Sequence, residues 1–161
     1  MDRSALHKLF GVGPIGLGIS LILLAAAVSA DRGLGHPEIL KYPSLMEGLG
    51  ALSACAGLVL YFWTVYALRN WWAKDQLCTT GPFRWFRHPM YAAWITFLSP
   101  GVAIYLNSWV LLLWAVSLHP VWGRLVVPEE HMMSERFHEQ YRAYAERTGR
   151  FIPRLRSLRR P

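Results

Sequence analysis

The chain has 161 residues, 53% of them hydrophobic and only 17% charged, with eight Trp and a net charge of +7. That length suits one domain, and a charge content below the ~25% usual in soluble domains leaves too little polar residue to cover a soluble surface. The charges are also segregated between long uncharged runs, which is the pattern of an integral membrane protein with several spans.

The positive balance does not point to nucleic acid. The Arg residues flank apolar segments and gather near the C-terminus, where they read as anchors facing anionic lipid, and no recognition motif accompanies them. Cys55 and Cys78 are the only cysteines. Two such residues give neither a disulfide framework nor a metal-binding spacing, and no metal site is expected.

Met1 to Lys8 is polar, with Arg3 and Lys8 beside the first apolar run. Phe10 to Ala30 then predicts one span of roughly twenty residues. A cleaved signal peptide is the alternative, but the run is long for one and nothing soluble follows it. Gly11-Val12-Gly13-Pro14-Ile15-Gly16 spells GxGxxG. Without a preceding strand or a βαβ unit, the dinucleotide reading fails, and the glycines read as helix-packing residues.

Asp31 to Ser44 reads as a loop, and Leu45 to Leu68 as the second span, with Gly50, Ala54 and Gly57 as a packing face. Arg69 to Trp85 is a basic, aromatic connector in which Trp71 and Trp72 suit the membrane interface. Tyr91 to Tyr105 predicts a short third span, Asn107-Ser108 a turn, and Trp109 to Val127 a fourth span. Pro100 and Pro120 each remove a helical hydrogen bond and predict kinks. Pro128 marks a break before an amphipathic helix from about Glu129 to Arg147, in which Met133, Phe137, Tyr141 and Tyr144 recur at spacings of three and four. Phe151-Ile152-Pro153 closes it.

The expected fold class is therefore all-α, an integral membrane bundle of about four transmembrane helices. The last two form a hairpin, followed by a cytoplasmic amphipathic helix. Residues 1–76 carry two N-terminal spans and the connector, 77–155 the ligand-binding half, and 156–161 a basic tail, all within one domain. Lys and Arg beside the span ends place both termini and the connector in the cytoplasm of a multi-pass protein, in a bacterial inner membrane or an ER-type membrane.

A short hairpin returns the chain to the face it left, so Arg87-His88 and Glu129-Glu130 are expected to meet at the cytoplasmic boundary. Carboxylates and guanidinium groups at that depth need partners. Together they suit a ligand carrying both charges, such as an amino-acid zwitterion. The simpler reading is that Arg84, Arg87 and Arg124 snorkel to headgroups, while Glu129 and Glu130 stabilise a helix N-terminus and His88-Pro89 starts a helix.

The run Arg87-His88-Pro89-Met90-Tyr91, a hydrophobic hairpin, and then Glu129-Glu130 resembles the signature of the isoprenylcysteine carboxyl methyltransferase and membrane phospholipid methyltransferase family. Thr80 to Trp85 is similar to the approach to that motif. Phe137, Tyr141, Tyr144 and Ile152-Pro153 are similar to its ending. Ala93 and His138 stand where the family often has Gly, and Met133 where it has Leu.

The resemblance implies methyl transfer from S-adenosylmethionine to a lipid or lipid-modified acceptor, either an isoprenylcysteine carboxylate or a phospholipid amine. It implies cofactor binding by Arg84, His88, Pro89, Tyr91, Glu129 and Glu130, and catalytic roles for Arg87, Arg124 and Glu130. His119, ionisable within an apolar helix, is either a packed residue or part of a substrate cavity. Two alternatives stand beside this reading. One is an NADPH-dependent sterol-type reductase, whose C-terminal end is similar. The other is a non-catalytic membrane assembly subunit.

Overall fold

A computed structural model describes residues 11–71 and 76–154. The N-terminal polar stretch with Phe10, the connector residues Trp72 and Lys74, and the basic tail 156–161 lie outside those residues. The fold is all-helical, and its only β-type contacts among the described residues are the isolated bridges Glu38–Ser108 and Phe86–Gly149.

Helix α1 runs Gly13–Gly33, later than the Phe10–Ala30 expected. Pro14 suits its first turn, where an N–H would lack a partner anyway. Gly11, at φ +54°, turns the chain just before it. Asp31, assigned to the loop, remains helical because its carboxylate finds partners: Ser108 Oγ donates at 2.5 Å and His36 Nδ1 lies at 2.8 Å. Helix α2 spans Pro43–Trp71 and so extends beyond the Leu45–Leu68 expected.

After a 3₁₀ turn at Gly81–Arg84, the third predicted span is built in three pieces. These are α3 (Pro89–Ala92), a π-helical segment (Ala93–Leu98) and α4 (Ser99–Tyr105). Pro100 falls in the first turn of α4, directly after the π segment. The ladder there has already changed register, so the missing N–H falls at the junction of two helix types rather than inside one.

Asn107, at φ +52°, makes the expected turn, and Ser108 caps α5 (Trp109–Leu125) by accepting from Leu111 N–H. The chain then bends by 40° at Val126 into α6 (Val127–Arg147). Pro128 therefore lies in the first turn of α6 and does not itself form the break.

Helix α6 is not the uninterrupted helix expected, because His138 breaks it at φ 45°, ψ −122°. The break re-aims the last third, so that Tyr141 is buried and the Tyr144 hydroxyl donates to Phe83 O at 2.7 Å. Met133, Phe137, Tyr141 and Tyr144 face inward, while Glu135, Arg136, Glu139 and Arg142 are exposed. Such a backbone costs a non-glycine residue on the order of 1–3 kcal/mol. His138→Gly is therefore expected to stabilise the protein by about 1 kcal/mol after glycine's own entropy cost. A rise in the thermal unfolding midpoint checks this, and a fall would remove the claim of strain.

The hairpin of α4 and α5 sits in the middle, with α1 packed on α5 and α2 packed on α4 and the π segment. Small residues permit the α2–α4 contact: a Cβ on Gly50 would strike Tyr105 N, and one on Gly101 would lie 2.8 Å from Ala54 N. Ala93 is fully buried in the core. The carbonyl of Ala93 would lie 3.0 Å from a Cβ on Gly57 of α2, which places Ala93 at a helix contact.

Large apolar side chains such as Ile22, Leu52, Val59, Phe62 and Leu113 point outward. Among the described residues two helices, α1 and the Pro43–Arg69 part of α2, are long and apolar enough to cross a membrane. The bent pair α5–α6 is a third candidate when taken as one span. At 1.5 Å per residue, α5 alone is about 26 Å long, somewhat short of a bilayer core of about 30 Å.

Candidate active site

Four chain segments meet at the end of the bundle where α1 and α6 begin. Residues 86–88 run extended beside the closing segment: Arg87 N–H donates to Gly149 O at 2.7 Å and His88 N–H to Arg150 O at 3.2 Å. Pro89 then opens α3 and fixes where the His88 and Tyr91 side chains emerge. The bend at Val126 sets Glu129 and Glu130 in the first turn of α6, where the helix dipole favours negative charge.

Glu130 is the hub. Arg150 grips it with Nε 3.0 Å from each carboxylate oxygen and Nη2 2.5 Å from Oε2. Arg87 Nε lies 3.0 Å from Oε1 and His88 Nε2 3.4 Å from it, yet neither is aligned as a hydrogen bond. Arg87 instead donates through Nη1 to Ala145 O at 2.8 Å.

Glu129 faces a different set. Its Oε1 accepts from Tyr91 O–H at 2.9 Å and from Val12 N–H at 2.7 Å, while His88 Nδ1 stands 3.5 Å from Oε2. The His88 ring stacks on Tyr91, with centroids 5.6 Å apart, and Tyr91 packs on Trp122 at 4.7 Å.

Electrostatics follow from this crowding. Burial alone would push the Glu130 carboxyl up. The approach of His88, the Arg150 hydrogen bonds and the charges of Arg87 and Arg150 outweigh burial and bring it down to about 2. Burial is also the main reason the nearby Tyr141 hydroxyl is pushed up to about 12. Glu130 is therefore a carboxylate at neutral pH, and Tyr141 a neutral phenol.

The structure thus brings together Arg87, His88, Pro89, Tyr91, Glu129 and Glu130. It leaves Arg84 exposed, with its guanidinium 5.8 Å from the Trp85 ring centroid, and Arg124 exposed near the end of α5. His119 is packed beside the closing segment. Its Nε2 lies 3.3 Å from Thr96 Oγ1, and that hydroxyl donates to Phe151 O at 3.0 Å. Thr96 has one proton, already committed to Phe151, so a bond to His119 requires the proton on His119 Nε2. His131 is exposed beside Glu135.

Two contributions escaped the sequence reading. Arg150 was legible in principle, since paired carboxylates at a membrane boundary need more than one cation. Gly11-Val12 carried no usable signal, because a backbone N–H has no sequence signature. A cavity of about 730 Å³ between Gln76-Leu77 and Arg136–Gln140, and an apolar groove of about 360 Å³ between α2 and α4, contain none of the residues of the Glu129–Glu130 cluster.

An apolar helical bundle with a cluster of buried charges at one end defines an integral membrane protein with a polar site there. Its sequence matches the phospholipid methyltransferase family over residues 46–140, more than half of the chain, and the protein belongs to that family. Its fold is similar to a solved structure of the eukaryotic intramembrane Ras methyltransferase, isoprenylcysteine carboxyl methyltransferase, determined without a monobody. That likeness has a TM-score of 0.60 at 20% identity and covers 95% of this chain and 54% of the other. The chain thus spans about half the length of that enzyme. No curated protein matches the sequence.

Proposed function

We propose that this protein transfers a methyl group from S-adenosylmethionine to a lipid or lipid-modified acceptor at the cytoplasmic face of the membrane. Family membership supports the reaction class. The observation that carries the cofactor assignment is the composition of the cluster. Of four buried side-chain polar atoms without a hydrogen-bond partner among the described residues, two are Arg87 Nε and His88 Nε2.

The residues present fit an amino-acid zwitterion. The unpartnered donors of Arg87 and His88 suit a carboxylate. Glu129 Oε2, approached only loosely by His88, suits an ammonium or a ribose hydroxyl. When bound, the cofactor supplies an electrophilic methyl on a sulfonium.

The chain's own part is positioning, which supplies much of the rate in such a displacement. Tyr91 O–H and Val12 N–H fix Glu129, Arg150 fixes Glu130, and Pro89 sets the direction of the His88 and Tyr91 side chains. Arg87 and Glu130 keep the charges of the cluster balanced. Arg84 and Arg124, exposed and outside this cluster, suit lipid headgroups better than the cofactor. A carboxylate acceptor needs no general base, whereas an amine must lose a proton, and His88 and Glu129 are the bases at hand. The multi-pass arrangement rests on the apolar runs, and the cytoplasmic placement on the Lys and Arg distribution.

The test supplies the purified protein with tritiated-methyl S-adenosylmethionine and a total membrane lipid extract. Labelled lipid is expected, with calorimetric binding of the cofactor. No label in any extract, together with no binding, overturns the reading.

A further inference from the structure

The start of α1 lies outside the segment that matches the family, yet it reaches into the cluster. Val12 N–H and Glu129 Oε1, 117 positions apart in sequence, are 2.7 Å apart. Gly11 adopts φ +54°, and a Cβ there would strike Glu129 Oε1 and lie 3.2 Å from the Tyr91 hydroxyl. Gly13 runs past the Tyr91 ring, which a Cβ would meet at 3.7 Å. Val12 itself is buried, which holds its amide in place.

Helix α1 is in turn fixed to α5. Trp122 Nε1 donates to Ser20 Oγ at 3.0 Å, and Trp114 Nε1 donates to Ser20 O at 3.1 Å. The amide therefore stands at the N-cap of a helix that is tied to α5.

We infer that Gly11 and Val12 are positioning residues of the cofactor site, with the Val12 amide and the Tyr91 hydroxyl together holding Glu129 Oε1 so that Oε2 faces the ligand. This rests on the cofactor reading above. A glycine is needed at position 11 because any side chain would occupy the place of the carboxylate. A backbone donor also keeps one oxygen occupied at every pH, which leaves the other oxygen the ligand-facing one.

The experiment has two arms. Amide hydrogen exchange in micelles reads the contact without any cofactor: the Val12 amide is expected to be protected in the parent and to lose protection in Glu129→Ala. Equal exchange in both overturns the inference. Calorimetry with S-adenosylmethionine reads the consequence. Val12→Pro removes the donor at a backbone angle of φ −84°, within reach of proline. It is expected to weaken binding about tenfold, the scale of a lost hydrogen bond to a charge.

The same change made on Glu129→Ala should add nothing, because the amide acts through that carboxylate. An equal loss in both backgrounds means a structural role only and overturns the inference. Should Val12→Pro fail to fold, Gly11→Ala replaces it in the same cycle. Gly50→Ala, a comparable steric insult in the α2–α4 contact, is expected to lower stability and leave the affinity unchanged. If the parent binds no cofactor, the functional reading fails, and the exchange arm alone decides whether α1 positions Glu129.

Discussion

Glu130→Gln is expected to destabilise the protein by about 2–3 kcal/mol, somewhat less than the ~3–5 kcal/mol that breaking a fully buried ion pair costs, because Arg150 is partly exposed. The variant leaves Arg87 and Arg150 facing a neutral amide, and the Glu130 side chain is only 13% exposed, so water replaces little of the lost charge. The acid limb of the stability curve should change with it. The folded carboxyl sits at about 2 against an ordinary 4.5. Its contribution is therefore complete above about 4.5 and is lost as pH falls toward 2, since the unfolded chain binds the proton first. Thermal unfolding of both proteins at pH 7 and pH 3 checks this. The gap between parent and variant should be wide at neutral pH and narrower in acid. A gap that stays constant would show that the Glu130 charge does not hold the cluster together.

Glu129→Gln should separate binding from folding. The amide oxygen of Gln still accepts from Val12 N–H and Tyr91 O–H, so the unfolding midpoint should stay near that of the parent. What disappears is the negative charge facing the ligand. Loss of a charge-assisted contact is expected to weaken S-adenosylmethionine binding by roughly 10–100-fold. Calorimetry reads this directly, and unchanged affinity would remove Glu129 from the site. The two neighbouring carboxylates thus differ in kind: Glu130 acts mainly on stability, Glu129 mainly on affinity.

Much of this arrangement was legible in the residues. Apolar runs bounded by Pro, Gly and charge gave the helical class. The single Asn107-Ser108 turn forced Arg87-His88 and Glu129-Glu130 to one end, and the structure has them within 3.0–3.5 Å. The three-and-four spacing from Met133 to Tyr144 gave the inward face of α6. Helix edges were less legible, because tertiary partners decide them. Asp31 stays helical because Ser108 and His36 lie across from it, and Pro100 is absorbed by a π segment that no local pattern announces. Arg84, Arg87 and Arg124 were equally plausible partners for the carboxylates on charge alone. The extended pairing of residues 86–88 with Gly149 and Arg150 selects Arg87 and adds Arg150. The glycine run at residues 11–16 fits no nucleotide motif and reads as packing, yet Gly11 yields its side-chain space to Glu129.

Helix α1 also acts as a length gauge. One end is tied to the far turn through Asp31 and Ser108, and the other meets Glu129 through Val12. Its 21 residues therefore set both the height and the phase at which the amide arrives. A single residue inserted between these ties would advance one end by about 1.5 Å and rotate it by about 100°. With the Ser20–Trp122 contact holding the middle, the Val12 N–H would point away from the carboxylate even though no side chain in the cluster had changed.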